Sequence, residues 1–153
     1  MKKCIILLLT VVLSFYCPIT ASAETSTDTV IVETFEDGSY LETVIKDADI
    51  PTTYSTTKTG QKIKTYKDSE GNSIWSVTVT GTFTYTGSPA TCTKSTVSAT
   101  SYKSSWKISS SSARKSGATA TATATAKKYA DGEYIKSMTQ SVSLTCSKNG
   151  TLS

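Results

Sequence analysis

The residues able to carry out chemistry are few, and their spacing does not indicate a catalytic set. The chain has no histidine, so neither a Ser-His-Asp triad nor a Cys-His pair is available. Ser-x-x-Lys, the spacing of a serine–lysine pair, occurs at Ser55/Lys58, Ser104/Lys107 and Ser112/Lys115. A chain rich in serine and lysine gives such matches by chance, and an active lysine must also be desolvated. We therefore expect no enzyme.

The acidic residues give no better sign of a catalytic or metal site. Paired acids that cleave a glycosidic bond must face each other across a cleft, whereas the acids here cluster in one hairpin and in turns. The stretch Asp68–Asn72 resembles the start of a calcium loop, but it lacks the twelve-residue spacing and the terminal glutamate. Turn formation is the better interpretation, and we expect neither a metal nor another cofactor.

Basic and aromatic residues suggest binding. Residues 24–50 hold eight acids and one base, a net charge of −7, and residues 51–153 hold thirteen bases and four acids, a net charge of +9. A basic body favours an anionic cell-wall or host polymer as partner, although a protein partner remains open and no nucleic acid is expected. The alternative interpretation is that these lysines keep strand edges soluble and block edge-to-edge pairing. The candidate ligand contacts are Tyr102, Lys103, Lys107, Arg114, Lys115, Lys127, Lys128 and Tyr129.

The start of the chain has the features of a secretory signal peptide. A basic Met1–Lys3 precedes an apolar run and the small residues Ala21–Ala23, which predicts cleavage after Ala23 and export from the cell. A lipoprotein acylated at Cys17 is the alternative, but bulky residues precede that cysteine. The mature chain has no second apolar stretch, so we expect no membrane span in it.

Two cysteines remain after this cleavage, Cys92 and Cys146. In an exported chain an even pair predicts a disulfide. Its closure would destabilise the unfolded chain by roughly 4 kcal/mol in the chain-entropy model. A metal pair or a reactive thiol is the alternative, and neither has a histidine or a CxxC spacing to support it.

Alternation of apolar and polar residues predicts the elements that position these side chains. In residues 74–86 one face carries Trp75, Val77, Val79, Phe83 and Tyr85, and the other carries serine and threonines, which is typical of a strand with one buried face. A shorter strand is expected at 62–67. The predicted core consists of Trp75, Val77, Val79, Phe83, Trp106, Val142 and Leu144.

The run Gly117–Ala126 alternates alanine with threonine. Alanine alone favours a helix, but threonine at every second position and the turn residues at 130–133 favour a hairpin of strands 118–128 and 134–146. The alanine face should lie inward and the threonine face in water. Threonine hydroxyls at every second residue, about 6.7 Å apart along a strand, would also suit an ice-binding surface. Sheet twist disfavours the long flat array that such a surface needs.

The acidic segment forms a second expected hairpin. Strands near 29–36 and 39–46 flank Asp37-Gly38, a two-residue turn signal. A lone hairpin is marginally stable, so it must dock on the body or bind a partner. The predicted organisation is a signal peptide at 1–23, an acidic hairpin extension at 24–50, a linker at 51–60 and a β-sandwich domain at 61–153.

These patterns predict an all-β fold, an antiparallel β-sandwich of seven or eight strands with an N-terminal hairpin extension. Trp106 lies between Cys92 and Cys146 in the chain, which resembles the immunoglobulin frame. That resemblance implies a tryptophan packed on a disulfide between the sheets. Leu144 departs from it, because an antibody-type domain has tyrosine there. A generic sandwich is the alternative.

The chain also resembles a group of small exported proteins of Gram-positive bacteria, whose function is uncharacterised. The resemblance rests on Phe35–Tyr40, on the strand Trp75–Gly87 and on the two cysteines, and it implies export and a β-domain. We expect a noncatalytic binding or interaction module at the bacterial surface or exterior. The alternatives are a secreted effector or antimicrobial acting on an anionic envelope, and a structural subunit that assembles by β-strand addition.

Overall fold

Eight antiparallel β-strands make up the part of the chain that the structure describes, residues 27–47, 56–86 and 88–153 of a computed structural model. No helix occurs within these ranges, and hence none there is long and apolar enough to cross a membrane. The predicted signal peptide and its cleavage site lie outside the described residues. The strands are β1 (Thr27–Thr34), β2 (Tyr40–Asp47), β3 (Thr57–Lys67), β4 (Ser73–Thr84), β5 (Thr91–Ser101), β6 (Trp106–Ser116), β7 (Thr119–Ala130) and β8 (Glu133–Thr145).

The strands form two sheets, as the alternating sequence predicts. Sheet A has the order β1-β2-β3-β4-β5 and sheet B the order β6-β7-β8. The all-β sandwich is therefore confirmed. The immunoglobulin-like detail is not: every pair of consecutive strands except β5 and β6 is hydrogen-bonded here, whereas in that fold the chain crosses between the sheets at several connections.

The core lies between large side chains on sheet A and small ones on sheet B. All seven residues expected in the core are buried. The alanine face of β7 points inward, with Ala120, Ala122 and Ala126 fully buried. Opposite it, a Cβ added at Gly81 would lie 2.5 Å from the Phe83 ring and 3.0 Å from the Ala120 Cβ. The alanines therefore let the two sheets approach closely around the aromatic rings of β4.

The threonine face of β7 lies on the outer side of sheet B, where its hydroxyls pair with those of β8. The oxygen–oxygen distances are 3.1 Å for Thr119–Thr145, 2.9 Å for Thr121–Ser143, 2.7 Å for Thr123–Ser141 and 2.8 Å for Thr125–Thr139. Such cross-strand pairs stabilise a sheet. They also occupy the hydroxyls that an ice-binding surface would direct to water.

The acidic hairpin is continuous with the body in the structure. Strand β2 pairs with β3 from Tyr40↔Lys67 to Asp47↔Gly60, and β3 begins at Thr57, within the stretch predicted as linker. The turn after β1 spans three residues rather than the two predicted. Phe35 N–H donates to Ser39 O at 2.8 Å, and Gly38, with φ +76°, accommodates the left-handed position.

The predicted disulfide is absent from the structure, in which Cys92 and Cys146 are buried free thiols. Their amides donate to neighbouring carbonyls at the start of β7, Cys92 to Gly117 O at 2.7 Å and Cys146 to Ala118 O at 3.0 Å. Trp106 lies at the other end of β5 from Cys92, about 30 Å away at the rise of a strand. It packs on Tyr66, with ring centroids 5.8 Å apart, and the packing of tryptophan on a disulfide that the immunoglobulin resemblance implies is not confirmed.

Candidate functional site

Four connections between consecutive strands meet at one end of the sandwich, here called the turn end: residues 35–39, 68–72, 102–105 and 131–132. Antiparallel order brings every second connection to the same end. A Cβ at Gly38 would lie 3.0 Å from Ser69, and Lys103 acts electrostatically on Asp68. The turn end therefore brings basic, acidic and aromatic side chains from both sheets together.

A groove of about 600 Å³ opens at the turn end, between the β5–β6 turn and the β7–β8 turn. Its central contact is a cation–π pair, in which Lys107 Nζ lies 5.3 Å from the centroid of the Tyr129 ring. Tyr134 packs edge-on against Tyr129, with centroids 6.2 Å apart. The residues that line the groove are Ser104, Ser105, Lys107, Lys128, Tyr129, Ala130, Asp131 and Gly132, which we call the turn-end site.

Backbone hydrogen bonds hold the walls of the turn-end site. Tyr129 N–H donates to Ser105 O at 2.7 Å, which joins the β5–β6 turn to β7, and Trp106 N–H donates to Lys103 O at 3.0 Å. On the other wall, Asp131 and Gly132 form a two-residue turn in which both φ angles are positive, +50° and +86°. The site is thus built from two short turns supported by regular strands.

The charge at this end is mixed, with bases in excess. In the strand register, Lys127 lies opposite Lys107 across β6–β7, and Lys128 lies opposite Lys136 across β7–β8. Asp131 is the acid that lines the groove. At the neighbouring turn, desolvation opposes ionisation of Asp68, but hydrogen bonds from Asn72 and Glu70 and the charge of Lys103 lower its pKa. An anion at the site would meet several ammonium groups and one carboxylate.

Six of the eight candidate ligand contacts lie at the turn end. Lys107, Lys128 and Tyr129 line the groove, Lys127 adjoins Lys107, and Tyr102 and Lys103 lie in the β5–β6 connection. Tyr102 is turned away from the groove, with its hydroxyl 3.1 Å from Ser76 Oγ.

The other two candidates, Arg114 and Lys115, lie near the far end of β6. Arg114 lies seven residues after Lys107, which is about 23 Å along a strand. Lys115 is occupied there, with Nζ donating to Thr93 O at 2.6 Å. These two bases are therefore not part of the turn-end site.

Sequence reasoning missed Tyr134 and Lys136 as parts of this region. Both follow directly on the turn at residues 131–132, and the hairpin pairing places Tyr134 opposite Tyr129 and Lys136 opposite Lys128. The predicted hairpin of 118–128 and 134–146 contained the signal for Tyr134, because counting outward from a two-residue turn places it opposite Tyr129. The bulge between Lys128 and Tyr129, which brings Lys136 opposite Lys128, has no such signal.

Nothing in the geometry prepares these residues for catalysis. Ser104 and Lys107 meet in the groove, but both are exposed, whereas a nucleophile-activating lysine is desolvated. Ser112 and Lys115 lie on opposite faces of β6, since they are three residues apart on a strand. Ser55 lies outside the described residues. Within the described ranges no group of three His, Cys, Asp or Glu side chains could hold a metal ion.

The Asp68–Asn72 turn uses its own carboxylate internally. Asp68 Oδ1 accepts from Asn72 N–H at 2.7 Å and from Glu70 N–H at 3.1 Å, and Oδ2 accepts from the Asn72 amide at 3.0 Å. The carboxylate thus closes a turn, which is the chemistry expected of that stretch.

No family model, curated protein or solved structure shows significant similarity to the chain. The resemblance to small exported proteins of Gram-positive bacteria stays a prediction from the residues.

Proposed function

We propose that the protein is a noncatalytic extracellular binding module that holds an anionic polymer in the turn-end site. The proposed location outside the cell rests on the signal peptide predicted at 1–23. The proposed ligand class rests on the charge and the aromatic rings at the turn end. A phosphate- or uronate-bearing polymer of a cell wall or host surface has the matching chemistry.

The observation that carries the proposal is the cluster of Lys107, Tyr129 and Tyr134 beside a groove with basic walls. Tyr134 is 55% exposed, although an aromatic ring of this size is more often covered by other side chains. A sugar or polyol unit can pack on such a ring while a neighbouring phosphate or carboxylate meets the lysines. The hydroxyls of Ser104 and Ser105 add hydrogen-bond donors that can rotate to suit different anion geometries.

A binding assay with matched charge variants tests the proposal. The purified protein is titrated with wall teichoic acid and with polygalacturonate, and the fraction bound is measured by co-sedimentation. Lys107→Ala combined with Lys127→Ala should weaken binding about 10-fold, since exposed charge contacts contribute roughly 0.2–1 kcal/mol each and Lys107 also loses its ring contact. Arg114→Ala combined with Lys148→Ala removes the same charge far from the groove and should leave binding nearly unchanged.

Two further results separate specific binding from general charge attraction. Tyr129→Phe should bind like the unaltered protein, because the ring is kept, and Tyr134→Ala should bind more weakly. Equal losses in both lysine pairs would reduce the proposal to net charge. No binding to either polymer at low salt would overturn it, and growth inhibition by the purified protein would favour a secreted effector instead.

A further inference from the structure

Sheet A extends beyond sheet B by two strands. Sheet B packs on β3, β4 and β5, and no Cα of β1 or β2 lies within 8 Å of a Cα in its strands. The hairpin β1–β2 therefore has an inner face, on the side of the core, that no strand of sheet B covers. We call this part of the molecule the overhang.

The inner face of the overhang is apolar and forms one wall of a groove. Val30 and Val32 are 50% and 51% exposed, and they line a groove of about 300 Å³ together with Thr43 and Ile45. The opposite wall is the edge strand of sheet B, through Ser141, Val142 and Ser143. The hydroxyl oxygen of Thr43 is buried and has no hydrogen-bond partner among the residues that the structure describes. A further layer of side chains would be needed to close this face.

Within the described residues, two strand edges flank the groove with no strand beside most of their length, one on each sheet. Among the described strands β1 pairs with β2 alone and β8 with β7 alone. At the far end of β8 the C-terminal residues 151–153 pair with its outer edge, where Thr145 N–H donates to Ser153 O at 2.9 Å, and the rest of that edge has no described strand beside it. Each edge carries unpaired backbone donors and acceptors, which favour the addition of another strand. The bulge between Ile31 and Glu33 leaves Thr27–Ile31 as a regular edge.

The groove floor is basic, whereas the hairpin is acidic. Lys62 and Lys64 on β3 line the groove. Burial lowers the pKa of the Lys64 ammonium, and the charge of Glu33 in the same copy opposes this. Glu33 pairs with Leu41, which is buried, so it lies on the same inner side of the hairpin as the valines. A ligand that suits this groove brings carboxylates, apolar side chains and a free strand edge.

We infer that the occupant is a second copy of this chain, whose overhang covers the first while the first covers the second. In this twofold dimer the β1 edge of each copy pairs with the β8 edge of the other. The three strands of sheet B then continue into the five strands of the other copy's sheet A. The valines of the two overhangs face each other.

Strand direction supports this arrangement. Direction alternates along the chain, so β1 and β8 run in opposite directions within one copy. A twofold axis parallel to the strands keeps the direction of every strand. The β1 edge of the second copy therefore meets β8 antiparallel, which is the more stable pairing. The contact is isologous and closes on itself, so it gives a dimer and not a fibre.

The dimer has a consequence for the turn end. An axis parallel to the strands places the turn ends of both copies on the same side of the assembly. Two turn-end sites then face one surface, and simultaneous engagement raises the apparent affinity for a polymer. The dimer itself does not depend on what the turn-end site binds.

Sedimentation equilibrium of the purified protein beginning at Glu24 tests the inference. The unaltered protein should show a reversible monomer–dimer equilibrium. Val30→Lys combined with Val32→Lys should raise the dissociation constant at least about 100-fold, because four valines lose their burial in each dimer. Tyr102→Lys combined with Ala113→Lys is the matched control, since both residues are exposed and lie away from β1 and β8. It should leave the dissociation constant unchanged.

Circular dichroism and thermal unfolding of each variant verify that it is folded. Amide exchange on the unaltered protein provides a readout without substitution, because edge amides of β1 and β8 should gain protection in the dimer. A monomer at every concentration, or a double variant that dimerises as the unaltered protein does, would overturn the inference. A larger open assembly would overturn the twofold symmetry.

Discussion

Strands β4 and β1 carry the same kind of alternating valines but differ entirely in burial. Val77 and Val79 on β4 are 0% exposed, whereas Val30 and Val32 on β1 are about half exposed. The local sequences both favour a strand with one apolar face. The difference lies across the sandwich, because sheet B covers β4 and ends before β1.

A strand with one apolar face does not by itself reveal which element will cover that face. In β4 the cover is the alanine face of β7 and the side chains of β8, all from the same chain. On β1 the equivalent face has no cover within the described residues of one copy. The exposed valines are therefore informative about assembly, whereas the buried ones are informative about stability.

The largest effect should come from truncating the covered side. Phe83 is fully buried against β7, so Phe83→Ala should lower the free energy of unfolding by about 3–5 kcal/mol. Urea unfolding followed by tryptophan fluorescence measures this change. A loss below about 1 kcal/mol would mean that the two sheets do not pack as described.

The rate at which the two buried thiols are alkylated provides a second test of the packing between the sheets. Burial raises the pKa of both Cys92 and Cys146, and access to either requires local opening. Alkylation at mildly alkaline pH should be at least about 100-fold slower in the folded protein than in urea, which corresponds to about 2.7 kcal/mol of opening free energy. Mass spectrometry counts the labels. Fast labelling of the folded protein, or no labelling in urea, would contradict the buried free thiols.

A smaller loss is expected where the two sheets approach most closely. In Gly81→Ala the new Cβ would lie within 3.0 Å of Ala120, so the change should cost about 1–3 kcal/mol through overpacking. Thr80→Ala, on the outer face beside it, should change stability by less than about 0.5 kcal/mol. Similar losses for both substitutions would argue against a tight contact at Gly81.

On the overhang the same truncation should have little effect on one isolated copy. Val30→Ala and Val32→Ala should each change the free energy of unfolding by no more than about 0.5 kcal/mol in dilute solution. At high concentration the loss should grow, because stability then includes dimer formation. Thermal unfolding at a low and a high protein concentration measures both values. A large loss already in dilute solution would show that these valines are covered within one copy.

The weakest effect should come from the turn that ends the overhang. Hydrogen bonds from the hydroxyl and amide of Ser39, the latter at 3.0 Å, lower the pKa of Asp37, and the charge of Lys136 adds to this. Because the folded pKa is the lower one, the stabilisation is present above the unfolded value of about 3.9 and is lost as pH falls through the folded pKa. Asp37→Asn should therefore differ from the unaltered protein at neutral pH and converge with it in acid. Unequal stability that persists at the lowest pH would contradict this assignment.

Alternation allowed the hairpins and the orientation of their faces to be predicted from sequence. The alanines of β7 could be placed inward because threonine at every second position leaves one orientation for a half-buried strand. The candidate contacts Lys107, Lys127 and Tyr129 came together because the hairpin and the preceding strand fix their positions at one end.

Other features depend on tertiary distances that no local pattern contains. The disulfide prediction followed from compartment and number, neither of which fixes where two thiols lie. Strand β3 begins earlier than predicted. Thr57–Gly60 has no apolar alternation to indicate a strand, and pairing with β4 orders it as one. The inward position of Lys62 and Lys64 was also not predicted, since lysines on a strand are expected in water.

Amide hydrogen exchange at two protein concentrations tests whether the hairpin belongs to sheet A and whether a second copy covers its inner face. We expect β2 amides paired with β3 to be protected at both concentrations. The edge amides of β1 and β8 should exchange freely when dilute and become protected when concentrated. Rapid exchange throughout residues 27–47 in both samples, or edge amides that exchange equally at both concentrations, would contradict the account.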